Sequence, residues 1–388
     1  MKNGFCFILS ICLFLLSGCA KNIATPVTPT LVSTATVGKV IVPTVTHFLD
    51  ATLAPRVGAD FKRQCLHVEQ ENVAIKDITS GTMLLFLYIQ NAQSQNLLLN
   101  IESGKEYKLP ALGGEGAVSP SRNMFAYIEQ IHDAQNDVIV NNILWVVDAR
   151  ADVLFKMPLN REYLGAPRWL DDNRLIMDTS EYGNLLVVNL STREQQVISN
   201  ELPNLDTFPF PGGPWWRVEY SPNLKWVIYY YNDSGDEGAV LRDIESKRDL
   251  WKSVNFDEGK PAWSPDGQEV AVVGEGQLYI INRSGKAQPV LDDMLIHEAQ
   301  SPSWSPDGQQ IAFWNKNSLI VLNRQTNIAV DLCIPGNGAI PLSPALWSPD
   351  SQQIIVSDSV LVDLQRKTAY KIKEITNATI FRWMNSLP

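Results

Sequence analysis

Three observations predict an all-β fold, a seven-bladed β-propeller of four-stranded blades. The first is a hairpin mark, Trp-Ser-Pro-Asp-Gly, that stands at Trp263 and Trp304 and returns as WSPDS at Trp347, at intervals of about 40 residues. The second is a column of seven positions in register with that mark, Val118, Trp169, Tyr220, Trp263, Trp304, Trp347 and Trp383, of which five are Trp. The third is that no stretch of helical length after Phe61 carries a 3.6-residue apolar period, whereas alternating apolar runs are frequent. A mark repeated at this interval makes each unit one small sheet.

The mark itself is a tight turn. Proline presets φ at the first corner, Asp caps its own backbone, and Gly takes the positive φ that follows. Because Trp and Asp recur at one position in many units, the column is read as packing between blades and Asp266, Asp307 and Asp350 as turn formers. A ligand site breaks the symmetry of a ring.

The chain begins with MKNGFCFILSICLFLLSG, residues 1–18: one Lys, an apolar run too short for a transmembrane helix, then small residues. Leu16-Ser17-Gly18-Cys19 resembles the bacterial lipobox, which implies cleavage before Cys19 and lipidation of its thiol. Several acyl chains on one residue give durable anchoring where a single chain is marginal. Residues 19–60 are rich in Thr, Val, Pro and Ala and read as an extended tether, although residues 38–45 could dock as a stray strand. The propeller is assigned to residues 61–388.

Within it, CLHVEQENVAI is expected along the outer edge of the domain. TMLLFLYIQ, NLLLNIE and KEYKLP then supply three strands with no first strand of their own. After the mark at Trp263 come QEVAVVG, QLYIINR and AQPVLD, and the copies at Trp304 and Trp347 are followed by runs of the same kind. With the run ending in Trp, each unit has four strands. IFRWMN near the end is a first strand with nothing after it, so the two chain ends are expected to complete one blade together. The count is seven, with six or eight left open by the irregular Val118 unit.

WSPDG followed by an apolar strand and a run such as LYIIN or LIVLN resembles the repeat of the TolB-type propellers, which are related to WD-repeat propellers. The resemblance covers roughly residues 64–388 and is specific for fold, since propellers host binding modules and enzymes alike. TolB itself is a soluble periplasmic protein with a further N-terminal domain. This chain has a lipobox and a bare tether in that place, so the TolB role is not transferred to it.

Composition excludes some functions. A net charge of −10 and a pI near 5.0 do not suit a protein that tracks phosphate backbones, so nucleic acid is not an expected partner. Of five cysteines only Cys65 and Cys333 lie beyond the leader and Cys19, and they form either one disulfide or two separate buried thiols. The four His, at 47, 67, 132 and 297, show no metal-ligand spacing, and there is no G-x-S-x-G elbow, Walker loop or dinucleotide fingerprint. His297-Glu298 opens a chance fragment of a zinc-protease motif whose second His is Ser301.

Two irregular stretches are the candidates for ligand contact. TFPFPGGPWWRV crosses from one blade to the next, and Phe210, Trp215, Trp216 and Arg217 form a possible stacking platform, set against the favoured alternative that the aromatics fold back to plug the rim. NDSGDEG clusters Asp233, Asp236 and Glu237 as weak metal candidates, without the ligand spacing of an EF-hand. No cofactor is expected. The functional expectation is a lipid-anchored binding or scaffold module on the extracytoplasmic side of a bacterial membrane, with a protein partner and an open oligomeric state. The alternatives are a lactonase- or glycan-processing propeller enzyme with its site at the channel mouth, and a structural component of the envelope.

Overall fold

In a computed structural model the described residues are 58–386, except 88–94, 112–115, 133–138, 160–163, 180–183, 201, 204–217, 234–235, 255–259, 275, 292–298, 317, 337–343, 357–359 and 373–377. The chain divides after residue 53, and every described residue belongs to the second unit. The leader, Cys19 and most of the tether therefore lie outside the described residues.

Strands are numbered in chain order. The first two, β1 (Asp60–Arg63) and β2 (His67–Val73), precede a single 3-10 turn at Ile75–Asp77. Three more follow, β3 (Thr82–Leu87), β4 (Gln95–Asn100) and β5 (Glu106–Lys108). Blade 1 is β6 (Gly116–Val118), β7 (Met124–His132), β8 (Ile139–Asp148) and β9 (Val153–Leu159). Blade 2 is β10 (Arg168–Asp171), β11 (Arg174–Asp178), β12 (Asn184–Asn189) and β13 (Gln195–Ser199). Blade 3 is β14 (Val218–Tyr220), β15 (Trp226–Asp233), β16 (Asp236–Asp243) and β17 (Arg248–Val254). Blade 4 is β18 (Ala262–Trp263), β19 (Glu269–Gly274), β20 (Gln277–Asn282) and β21 (Ala287–Pro289). Blade 5 is β22 (Ala299–Trp304), β23 (Gln310–Asn315), β24 (Ser318–Asn323) and β25 (Ile328–Pro335). Blade 6 is β26 (Leu346–Trp347), β27 (Gln353–Val356), β28 (Val360–Asp363) and β29 (Thr368–Ile372), and the last strand is β30 (Ala378–Met384).

Within every blade the neighbouring strands are antiparallel and follow chain order, with one exception that closes the ring. In blade 7 the last strand comes first: β30 pairs with β3 from Thr82↔Met384 to Leu87↔Ala378, and β4 and β5 complete the sheet. The blade is thus built from both chain ends, and the count of seven stands. First strands of successive blades approach one another, as β6 does β10, β18 does β22, and β30 both β26 and β6. They form the inner wall of the ring.

The core explains why the strands alternate as they do. Each blade is covered on both faces, so successive residues of a strand serve different seams. In β19, Val270 and Val272 pack toward blade 3 while Ala271 and Val273 pack toward blade 5. In β23, Ile311 and Phe313 join that second seam, and Ala312 and Trp314 join the next. The buried apolar residues fall into seven clusters, one for each pair of neighbouring blades, including the closing pairs on either side of blade 7.

The turns match the reading of the mark. The Oδ1 atoms of Asp266, Asp307 and Asp350 accept hydrogen bonds from the main-chain N–H groups of Gln268, Gln309 and Gln352 at 3.0–3.1 Å. The fifth residue is left-handed in five copies: Gly267 at φ 64° and Gly308 at 71°, with Ser351, Leu224 and Arg122 at 63°, 57° and 62° in three worn ones. A side chain in that conformation costs about 1 kcal/mol, so the worn copies carry strain that the two glycines avoid.

The N-terminal segment adds a strap. As expected for CLHVEQENVAI, β2 lies on the outer edge of blade 6, parallel to β29. One strand was not expected: β1 pairs in parallel with β25 on the outer edge of blade 5. Its sequence, DFKR, lacks apolar alternation, and its position is fixed by main-chain pairing and by Phe61 on the core.

Candidate functional site

The Trp column clasps the seams. The indole N–H of Trp169 donates to the carbonyl of Ala117 in the preceding blade at 2.8 Å. Trp263 does the same to Glu219 at 3.2 Å, Trp304 to Ala262 at 2.8 Å and Trp347 to Ser303 at 3.2 Å. Each acceptor is the residue before the column position in its own blade. Three seams depart from the rule, the first because blade 1 carries Val118 in the column. Trp383, fully buried, turns its indole to Ser80 of its own blade, and Tyr220 replaces Trp in blade 3.

A charge cluster holds the seam between blades 2 and 3, where the indole is missing. Arg168 opens β10, Asp178 ends the neighbouring β11, Glu219 lies in β14, and Lys260 lies two residues before β18. First strands run toward the mark, so all four residues lie toward the opposite end of the inner wall. Arg168 Nη2 donates to Asp178 Oδ1 at 3.0 Å, and its Nη1 reaches Glu219 Oε2 and the Val218 carbonyl, both at 3.3 Å. Lys260 Nζ lies 3.3 Å from the other Glu219 oxygen. The side chain of Glu219 is 9% exposed and that of Lys260 56%, so the ammonium is the group this cluster presents to solvent.

The electrostatics follow from burial. Desolvation works against the Arg168 charge, but Asp178 and Glu219 more than restore it, so its pKa is raised. Asp178 is also raised: desolvation disfavours its charged form and Glu219 adds repulsion, and together they outweigh the pull of Arg168 and the weaker one of Lys260. Burial likewise raises Tyr220, whose hydroxyl accepts from Asn200 Nδ2 at 3.2 Å. Two carboxylates sharing one guanidinium form an alternating chain of charges that fixes blades 2, 3 and 4 against one another.

Sequence reasoning missed this cluster although its signal was present. The residue before each column position is Ala117, Arg168, Glu219, Ala262, Ser303, Leu346 and Arg382. Charge in that row breaks the repeat at Arg168 and Glu219, in adjacent blades, and again at Arg382, whose Nε donates to the Gly116 carbonyl at 2.9 Å across the last seam.

The candidates named from sequence fall differently. Phe210, Trp215, Trp216 and Arg217 lie outside the described residues, directly before the strand that carries Glu219. Asp233 and Asp236 are paired across the ladder of β15 and β16. The side chains of Asp233, Asp236 and Glu237 lie outside the description. Among the described residues, no group of three His, Cys, Asp or Glu could hold a metal ion, and no helix is long and apolar enough to cross a membrane. Cys65 and Cys333 are joined in a disulfide with their Cα atoms 4.7 Å apart.

Fold and site define a class: a closed seven-bladed propeller whose inner wall carries an ionic seam in place of one indole clasp. No protein-family model matches the chain, and no curated protein matches it. Among solved structures it is similar to TolB from Acinetobacter baumannii, at 14% identity and a TM-score of 0.41, over 76% of this chain and 79% of that one. With a likeness of that size, the assignment as a propeller rests on the seven sheets and seven seams of this chain.

Proposed function

We propose that the protein is a lipid-anchored, extracytoplasmic propeller that binds a protein partner and makes no bonds itself. The observation that supports this reading is the division of labour between repeated and unrepeated residues. The recurrent Trp and Asp residues are engaged in seams and turns. Two departures from the repeat stand where blade 2 leads into blades 3 and 4: the insert with Phe210, Trp215, Trp216 and Arg217, and the exposed ammonium of Lys260. Connections of this kind reach a partner without disturbing the blades that carry them. Aromatic and Arg anchors are the residue types that dominate protein interfaces.

Anchoring through Cys19 is tested by fractionation. Cys19→Ala moves the protein from the membrane to the soluble fraction, and unchanged membrane association defeats the lipoprotein reading. Partner binding is tested by crosslinking in native membranes followed by affinity capture. The wild type captures a protein that a Trp215→Ala, Trp216→Ala variant does not, and equal capture by both sinks this choice of surface.

A further inference from the structure

The strap and its disulfide carry an inference separate from partner binding. Between β1 and β2 the chain stays beside blade 5: Gln64 N–H donates to the Asp331 carbonyl at 2.9 Å and Leu66 N–H to the Leu332 carbonyl at 3.1 Å. Cys65 lies between them and is exposed. Its partner Cys333 is half-buried, at an irregularity of β25 with φ 55°. The two sulfurs therefore differ in their access to an incoming reagent. They differ also in electrostatics. Arg63 Nε lies 3.4 Å from Cys333 Sγ, and it is shared with Asp331 Oδ2 at 3.7 Å.

Thiol–disulfide exchange runs fastest when the attacked sulfur is open and the departing sulfur is stabilised as its thiolate. A guanidinium beside a cysteine sulfur supplies that stabilisation. We propose that the Cys65–Cys333 bridge is a thiol-exchange site for a dithiol reductant, with Cys65 Sγ the atom attacked and Cys333 the leaving thiolate. In the first step the incoming thiolate forms a bond to Cys65 Sγ, the bridge breaks, and its electron pair goes to Cys333 Sγ beside Arg63. In the second, the other thiolate of the reductant attacks its own sulfur in the mixed disulfide and releases Cys65 as a thiolate. The reductant is oxidised to its disulfide and the protein gains two electrons.

Exchange has a structural effect. The bridge spans 268 positions of sequence, and it binds the strap to blade 5 covalently. Once it opens, β1 is held to β25 by a ladder of four residue pairs, and β2 to β29 by two short runs on either side of an irregularity between Val68 and Asn72. Loss of the strap uncovers the outer edges of β25 and β29, where unpaired main-chain groups can accept another strand.

The test uses the folded full chain without denaturant. It is incubated with reduced glutathione, quenched with acid, alkylated and mapped by mass spectrometry. The expected products carry glutathione on Cys65 and the alkyl group on Cys333. Arg63→Ala slows the first step by about three- to tenfold, and Arg63→Lys restores part of the rate. With dithiothreitol in place of glutathione, amide exchange rises in β1 and β25 and not in β19. Glutathione mainly on Cys333, no reaction before denaturant is added, or an Arg63→Ala rate equal to that of the wild type overturns the proposal.

Discussion

The seam between blades 4 and 5 and the seam between blades 2 and 3 occupy the same slot in the repeat and are held by different physics. In the first, Trp304 is 9% exposed, belongs to the apolar cluster that includes Val273, Ile280 and Phe313, and donates its indole N–H to the Ala262 carbonyl. The charged pair there, Arg324 with Glu269 at 2.7 Å, is partly open to water at 24% and 29% exposure. In the second, Tyr220 takes the column position, and the bridge to the preceding blade is Arg168 among two carboxylates. An apolar clasp tolerates the loss of its polar atom. A buried ionic clasp does not, because removing one member leaves the others charged and unpaired.

The largest expected effect applies to both seams at once. Truncation before Ile380 removes most of β30 and with it Trp383 and Met384, both fully buried. Blade 7 then keeps three strands, and the cooperative thermal transition of the full chain is lost or falls by more than about 10 °C. A melting temperature equal to that of the full chain contradicts closure by that blade.

The next effects separate the seams. Trp304→Ala and Arg168→Met are each expected to destabilise by about 3–5 kcal/mol in urea melts, the first through a cavity and the second through stranded carboxylates. The comparison is sharpened by Trp304→Phe, which keeps the apolar body and costs about 1–2 kcal/mol for the lost hydrogen bond and smaller ring. Adding Asp178→Asn and Glu219→Gln to Arg168→Met recovers part of the loss. If the triple variant is no more stable than Arg168→Met alone, stranded charge is not what holds that seam.

A smaller effect is visible only as a function of pH. Asp178 has a raised pKa in the folded protein, so from its ordinary value of 3.8 up to the raised one the folded state binds more proton than the unfolded chain. Stability from this group is therefore greatest at the low-pH end of that window and declines as pH rises through it. The stability of the wild type relative to Asp178→Asn should fall across the window and level off above it, and a difference that rises with pH has the wrong sign for a carboxyl governed by burial. The smallest effect belongs to Lys260→Ala. With a side chain 56% exposed, it should cost less than about 1 kcal/mol.

Much of the ring was legible in the sequence because its signals are local. A turn needs Pro, Asp and a left-handed residue in fixed order, and an alternating run that is apolar on both faces declares a strand covered on both sides. The clasp was less legible. The sequence places Trp304 in a column, but only the packed blades bring its indole to the carbonyl of Ala262, a residue of the preceding unit. Arg168 and Glu219 stood in a readable row, and the aromatic column drew attention away from it. Asp60–Arg63 could not be read as a strand, because it is held by pairing through the main chain, which leaves no mark on side-chain pattern.

Closure by β30 has a consequence for the order of events during synthesis. The strands β3, β4 and β5 leave the ribosome before any of the other blades, and the inner edge of β3 has no partner until residues 378–384 follow. Throughout that interval it is an open template of the kind that pairs with foreign strands. Cys65 waits nearly as long, since its partner is made 268 residues later. Both fastenings join the beginning of the folded chain to segments made much later, blade 5 and β30. A chain that stalls after blade 5 leaves the inner edge of β3 without its partner.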